Sequence, residues 1–217
     1  MDKLLAPLGQ ANEALGKKIC GALLENGFTS AIYVATASEA LEAASGMIPD
    51  GVSVGVPGTV TVRQIGLLEK LEGKGCRVLH HWDPSLTPEE RPVRLAEENA
   101  ADWFVTSSNA VTHDGKLVNI DGNGNRVAAM AWGLGKILYV IGMNKVTRNL
   151  HGAIKRVRDS ATPPNTMRLG IKTPCLELGH CADCSSPQRS CRAVLILERA
   201  PFGREAHVIL VGEALGY

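Results

Sequence analysis

The chain has 217 residues, enough to bury a full core as one domain. A formal net charge of +1 and an aromatic content of 4% exclude the basic signature and the stacking platforms expected of a nucleic-acid binder. No stretch has enough unbroken apolar residues to span a bilayer, and the opening MDKLLAPLGQANEALGKK lacks the core and cleavage site of a signal peptide, so the expected compartment is the cytoplasm.

In chain order, residues 10–26 predict an amphipathic helix that stops at Gly27, a residue suited to a helix C-cap. Residues 30–36 (SAIYVAT) predict a buried strand, and Ser38 is placed to cap the helix EALEAASGM before Pro49. GVSVGV at 51–56 reads as a strand, residues 60–75 as a helix with Ile65, Leu68 and Leu71 on one side, and CRVLHHW as a third strand. Thr87 caps a further helix with Pro88 at its first position. ADWFVTSS at 101–108 and KILYVIG at 136–142 add strands. AVLILER and HVILVGE, joined around Pro201 and Gly203, predict a C-terminal β-hairpin. Strands alternating with helices across short joints predict an α/β fold, a three-layer sandwich around a mostly parallel sheet, in a single domain over 1–217. The longest irregular stretch is 162–191.

That stretch holds Cys175, Cys181, Cys184 and Cys191 in a C-x5-C-x2-C-x6-C spacing. In a reducing compartment, thiols this close predict a metal or a cluster rather than structural disulfides, and a bound metal would hold a long loop in place. The single C-x2-C pair and the wide flanking gaps differ from the paired knuckles of a zinc ribbon and suit an iron–sulfur cluster, whose ligands are further apart; structural zinc and redox-active free thiols stay open. His180, beside Cys181, is a candidate substitute ligand.

Two further segments predict a ligand crevice. Gly55, Gly58, Thr59 and Thr61 lie in a strand-to-helix turn, where glycines admit a ligand to the backbone, the helix start offers free N–H groups, and Arg63 adds charge. The alternative is a plain tight turn with Thr59 as helix cap. Residues 107–130 carry a hairpin turn at Asp114-Gly115, then Asn119, Asp121, Gly122, Asn123, Gly124 and Asn125 ahead of the helix RVAAMAWG. These residues present amides, a carboxylate and backbone N–H groups together, or else form an elaborate Asx-turn network. Neither segment is a phosphate-binding P-loop, a calcium loop or a dinucleotide fingerprint. His81 and Asp83 follow a strand and are candidates to line the same crevice, while Cys20 and Cys76 read as small buried hydrophobes. Lys145 and Arg148, after KILYVIG, read either as an anion site at the strand ends or as solvated surface charge.

GVPGTVTVRQIGLLE, HHWDP, TSSNAVTHDGKLVNIDGNGNRVAAM, IGMNKV and the terminal cysteine block together resemble the lactate-utilisation family, the LUD domain, over nearly the whole chain. The resemblance implies a fold related to ribose-5-phosphate isomerases, glucosamine-phosphate deaminases and coenzyme A transferases. The middle motif is also similar to that of sugar-phosphate isomerases of the methylthioribose type, in which an acidic residue and an Asn–Lys pair sit at the substrate. Here Asn109 stands at the acid's position and Ile120 at the lysine's, so that acid–base pair is incomplete, with Asp121 as the candidate substitute.

Some relatives work with iron–sulfur partners that carry electrons away from lactate, so the resemblance implies a redox context. The expected protein acts in electron transfer, or its regulation, during organic-acid oxidation. It holds an iron–sulfur cluster, 4Fe–4S, on Cys175, Cys181, Cys184 and Cys191. Its crevice of Gly55, Gly58, Thr59, Thr61, Asn109, Asn119, Asp121, Gly122, Gly124 and Asn125 takes a small anion. The alternatives are an isomerase- or transferase-like enzyme acting on a sugar phosphate or coenzyme A ester with structural cysteines, and a non-catalytic binding module with structural Zn. Expected partners are the small anionic ligand, a redox protein and further copies of the chain, with neither nucleic acid nor membrane insertion.

Overall fold

The structure is a computed structural model and describes residues 6–217. The first five residues of the N-terminal segment read above against a signal peptide lie outside the described residues.

The apolar strands assemble as the alternation predicts. Six of them, β1 (Ser30–Val34), β2 (Ser53–Gly55), β3 (Arg77–Leu79), β4 (Trp103–Thr106), β7 (Lys136–Gly142) and β10 (Ala206–Val211), form one sheet in the order β1-β10-β7-β4-β2-β3. Every pairing in it is parallel. Successive side chains on a strand point to opposite faces, and the core divides accordingly. Leu138, Val140, Ile209, Val211, Trp103 and Val105 face one cluster with helices α2 (Ala37–Met47), α3 (Val60–Gln64) and α4 (Leu67–Gly73). Ile137, Tyr139, Ile141, Val208, Leu210 and Phe104 face the other with α1 (Ala6–Glu25).

A second, four-stranded sheet was not legible as such. It runs β8-β5-β6-β9, from β5 (Ala110–Thr112), β6 (Leu117–Asp121), β8 (Val146–Thr147) and β9 (Ala193–Leu197). Val111, Leu117 and Leu197 pack onto the second face of the main sheet. The opposite side, with Ala110, Val118 and Ile120, is covered by α7 (Leu150–Arg156) and the helical turn after it through Ala153, Val157 and Ala161.

This sheet corrects the expected C-terminal hairpin. β9 pairs antiparallel with β6, whereas β10 pairs parallel with both β1 and β7. The physical reason is burial. Val208–Val211 is apolar on both faces and fully buried, so it belongs in the interior of a two-sided sheet. β9 has one exposed valine, Val194, and suits a sheet edge.

Three local expectations shift. Thr36, not Ser38, caps α2: its hydroxyl accepts from Glu39 N–H at 3.2 Å while the Glu39 carboxylate accepts from Thr36 N–H at 3.3 Å. The helix expected over 60–75 breaks at Gly66, whose φ of 73° is left-handed, into the short α3 and α4. The stretch 162–191 is not wholly irregular, since α8 (Thr162–Leu169) and α9 (Cys175–Leu178) lie within it. A π-helical turn at Val157–Ala161 joins α7 to α8. It absorbs the missing N–H groups of Pro163 and Pro164, and Thr162 Oγ1 donates to the Val157 carbonyl at 2.9 Å. The helix expected to start at Thr87 and Pro88 begins later, as α5 (Glu90–Ala100) with Glu89 at its N-cap, while Thr87 and Glu90 exchange bonds of 2.8 and 3.3 Å across the turn before it.

Candidate functional site

Parallel strands deliver their carboxyl ends to one rim, where open α/β sheets bind ligands. Here β2 leads to Gly58–Thr61, β3 to His81, β4 to Thr106–Asn109 and β7 to Lys145, and all of these residues line one crevice. The opposite wall is made by Asp121, Gly122, Asn125 and Arg126, with Val157, Ala161, Thr162, Arg168 and Tyr217. The crevice has about 270 Å3 of room, the scale of a small organic ligand.

The second wall is held by a polar network with Asn119 at its centre. Asn119 is fully buried; its Oδ1 accepts from Asn109 N–H at 3.0 Å and from Arg126 Nη1 at 2.9 Å, and its Nδ2 donates to Ser108 Oγ at 3.1 Å. Arg126 Nη2 donates to Asn109 Oδ1 at 3.0 Å and to the Ile120 carbonyl at 2.8 Å. Asp121 spends its carboxylate on backbone, accepting from Gly122 N–H at 2.9 Å and from Arg126 N–H at 3.0 Å, so it fastens the start of α6 (Asn125–Ala131). The Asx-turn reading and the site reading of this segment therefore describe the same atoms.

The other wall carries an amine. Lys145 is 3% exposed, and its Nζ donates to Thr61 Oγ1 at 2.7 Å and Ser107 Oγ at 3.0 Å. Burial, reinforced by the guanidinium charges of Arg156 and Arg126, brings its ammonium down to about 7. Burial also lowers Arg156, to about 10, and lowers Arg126 against the pull of Asp121. Among the described residues, none of these three cations lies within salt-bridge distance of a carboxylate. Thr59 sits at the N-cap of α3 but makes no capping bond; its hydroxyl is buried and has no partner among the described residues. At the rim, His81 Nδ1 meets the buried carboxylate of Glu98 at 2.8 Å, which fixes the ring with its other nitrogen near Gly58.

Of the residues expected at a ligand, Gly58, Thr59, Thr61, Asn109, Asp121, Gly122 and Asn125 line the crevice. Gly55, Asn119 and Gly124 lie outside its lining. Gly55 lets β2 touch the Glu98 backbone, Asn119 supports from behind, and Gly124, at a φ of 85°, turns the chain into α6. Arg63 and Arg148 are exposed and also lie outside it, and Asp83 bonds Ser85 in a turn. Cys20 and Cys76 are buried small residues, as read. Arg126 and Ser107 escaped sequence reading, although an arginine straight after an Asn/Gly turn and a serine straight after a buried strand were available signals.

The cysteines of the C-terminal block come together. Cys175, Cys181, Cys184 and Cys191 all line one small, mostly apolar pocket with Arg158 and Arg189. All six cysteines of the chain are free thiols. Polar groups lie against three of the four sulfurs: Thr173 Oγ1 is 3.1 Å from Cys175 Sγ, Asp183 N–H donates to Cys181 Sγ at 3.3 Å, and Thr162 Oγ1, whose own hydrogen goes to the Val157 carbonyl, is 3.5 Å from Cys191 Sγ. Arg189 ties the loop, donating to the Cys191 carbonyl at 2.9 Å, to the Cys184 carbonyl at 2.5 Å and to Asp183 at 2.7 Å. Among the described residues, no three His, Cys, Asp or Glu side chains form a ready-made site for one metal ion. His180 is exposed and bonds the Leu178 carbonyl. Thr162 and Ser190 line both the cysteine pocket and the crevice, so the two share a wall.

Over 92% of this chain and 97% of the other, the fold is similar to the crystal structure of a DUF162 family protein from Deinococcus radiodurans, with a TM-score of 0.51 and 14% identity. A translation initiation factor eIF-2B from Pyrococcus horikoshii aligns over 52% of this chain and 48% of its own at a TM-score of 0.36 and 13% identity, too little shared structure to bear on this one. No curated protein matches the sequence significantly. The LUD domain family model matches residues 17–211, from within α1 to the end of β10, a span that holds both sheets, the four cysteines and all of the crevice lining but Tyr217. The chain belongs to the LUD domain family.

Proposed function

We propose that this chain is a lactate-utilisation-type protein acting in electron transfer, or its regulation, during organic-acid oxidation. In this reading a small organic anion binds in the crevice and an iron–sulfur cluster sits on Cys175, Cys181, Cys184 and Cys191. The observation that carries the reading is the shared wall: a thiol pocket and a crevice lined by unpaired cations meet at Thr162 and Ser190.

The donor set suits such a cluster. Four thiols face one pocket, the Asp183 amide hydrogen points at the Cys181 sulfur, the Thr162 and Thr173 hydroxyls lie beside two others, and Arg158 and Arg189 offset thiolate charge. A cubane takes its four ligands from around one pocket, and all four thiols line this one. When bound, the cluster supplies one-electron chemistry; the chain's own part is to shield it with Thr166 and Thr173 and to hold the anion beyond Ser190. Residues 145–192 carry nine Lys and Arg against three Asp and Glu, so a redox partner with an acidic face would be steered toward this side.

The test is purification without oxygen, followed by measurement of iron, acid-labile sulfide, zinc and the visible spectrum. The reading expects about four irons and four sulfides per chain, lost in Cys181→Ser and Cys184→Ser. A colourless protein with about one zinc overturns it. A second reading, an isomerase- or transferase-like enzyme with structural cysteines, is favoured by one observation: the His81–Glu98 pair and the buried amine of Lys145 face the same crevice. It predicts turnover that survives loss of the metal.

A further inference from the structure

We propose that Lys145 Nζ condenses with the carbonyl carbon of a small 2-oxo acid held in the crevice, forming an imine and releasing water. This deepens the proposed function and rests on its anion-binding crevice.

The hydrogen-bond inventory around the amine carries the argument. Thr61 Oγ1 gives its own hydrogen to the Leu215 carbonyl at 3.4 Å, and Ser107 Oγ gives its hydrogen to the Ser108 carbonyl at 3.3 Å. Both hydroxyl oxygens are therefore left as acceptors for Nζ, at 2.7 and 3.0 Å. A neutral amine has two N–H groups and one lone pair. Thr61 and Ser107 take the two N–H groups, so the lone pair is directed away from them, and the crevice is the open space that Lys145 lines. The surroundings favour that neutral form. No carboxylate pairs with Lys145 among the described residues, and both nearby formal charges are guanidiniums. A desolvated lysine beside other cations is the usual setting of a nucleophilic amine.

The same crevice selects the acid. Its room of about 270 Å3 suits a few-carbon molecule and is tight for a coenzyme A ester. The carboxylate has the charge of Arg126 and the unpartnered hydroxyl of Thr59 to meet, leaving the carbonyl for Nζ. A plain anion anchor would not need an amine whose charged form is disfavoured, because arginine already supplies permanent charge.

The step balances without an outside oxidant or reductant. The nitrogen lone pair forms the C–N bond, and a proton passes from nitrogen to the carbonyl oxygen to give a carbinolamine. Loss of that oxygen as water leaves the C=N bond.

The test uses the full chain with pyruvate and cyanoborohydride, a hydride donor that reduces imines to stable secondary amines. The expected result is one adduct, with the mass gain of the acid less one oxygen atom, mapped to the peptide containing Lys145. Oxalate, which has carboxylates but no ketone, is expected to bind by calorimetry and to suppress the adduct, and Lys145→Arg is expected to abolish it. Oxalate binding with no adduct on Lys145, or with adducts scattered over surface lysines, overturns the imine while leaving the crevice reading intact. Failure of oxalate to bind, with no adduct, overturns both. If Lys145→Arg does not fold, the peptide map of the unmodified sequence decides.

Discussion

Lys145 Nζ donates to Thr61 Oγ1 at 2.7 Å across 84 positions of sequence, tying the turn after β7 to the start of α3. Two segments that bear no periodic or compositional relation to each other thus form one site. The bond also buries a group that water would keep charged, and this gives the fold a pH dependence of known sign. Lys145 is brought down from 10.5 to about 7 by burial first and by Arg156 and Arg126 second. Between those values the unfolded chain binds the extra proton and the folded chain does not, so stability rises with pH. The penalty is complete below about 7 and gone above 10.5. Lys145→Met, compared with the unchanged protein in urea melts, is expected to gain most at pH 6, by an amount on the order of a few kcal/mol. That gain shrinks as pH approaches 10. A gain that is constant with pH would mean Lys145 stays charged in the fold.

Asn119 is the node of the opposite wall. Replacing it with Ala removes acceptors from Asn109 N–H and Arg126 Nη1 and a donor from Ser108, all in a buried setting. Each orphaned group costs about 1–3 kcal/mol. The expected outcome is a lower urea midpoint with an unchanged slope, together with weakened oxalate binding, because Arg126 loses its hold. Asn119→Asp keeps the acceptor for Arg126 and is expected to recover part of the binding but little of the stability, since it buries a charge.

Much of the fold was legible because its signals are local. Alternation and apolar runs give β1, β4 and β7, and Asp114-Gly115 marks the turn between β5 and β6. β9 and β10 were misread because a short Pro/Gly loop between two apolar runs is the ordinary mark of a hairpin, while their true partners, β6 and β1 with β7, are distant in sequence. The site divides in the same way. Gly58, Thr59, Thr61 and the Asn/Asp cluster stood out by type. Lys145 reads either as an anion site at the strand ends or as surface charge, because nothing local reveals that Thr61 and Ser107 enclose it. Gly55 and Gly124 were read as ligand contacts when their lack of a side chain serves chain packing and turning.

Gly55 gives a direct test of that distinction. A Cβ there would overlap the Glu98 carbonyl, which is backbone and cannot rotate aside. Gly55→Ala is expected to destabilise by about 1–3 kcal/mol and to displace α5, carrying Glu98 away from His81. At Gly58 the nearest atoms to a Cβ are His81 ring atoms at 3.9 Å, an ordinary contact. Gly58→Ala is therefore expected to melt with the unchanged protein and to alter only ligand binding. Equal melting of the two variants would show that β2 and α5 do not pack as closely as described.

Arg189 separates the cysteine loop from the core that supports it. Its guanidinium holds the Cys184 and Cys191 carbonyls and Asp183 together, and Asp183 takes a left-handed φ of 44° to hand its N–H to Cys181. A non-glycine residue in that region is strained and stays there only when its surroundings hold it. Arg189→Ala removes that hold without touching the main sheet. The expected result is unchanged global unfolding, with faster labelling of Cys181, Cys184 and Cys191 by a thiol reagent in the metal-free protein. Asp183→Gly relieves the strain but keeps the Arg189 bonds to the two carbonyls, so its labelling is expected to fall between the two. Labelling that does not change in Arg189→Ala would place the order of the loop in α9 and the threonines around Cys175 instead.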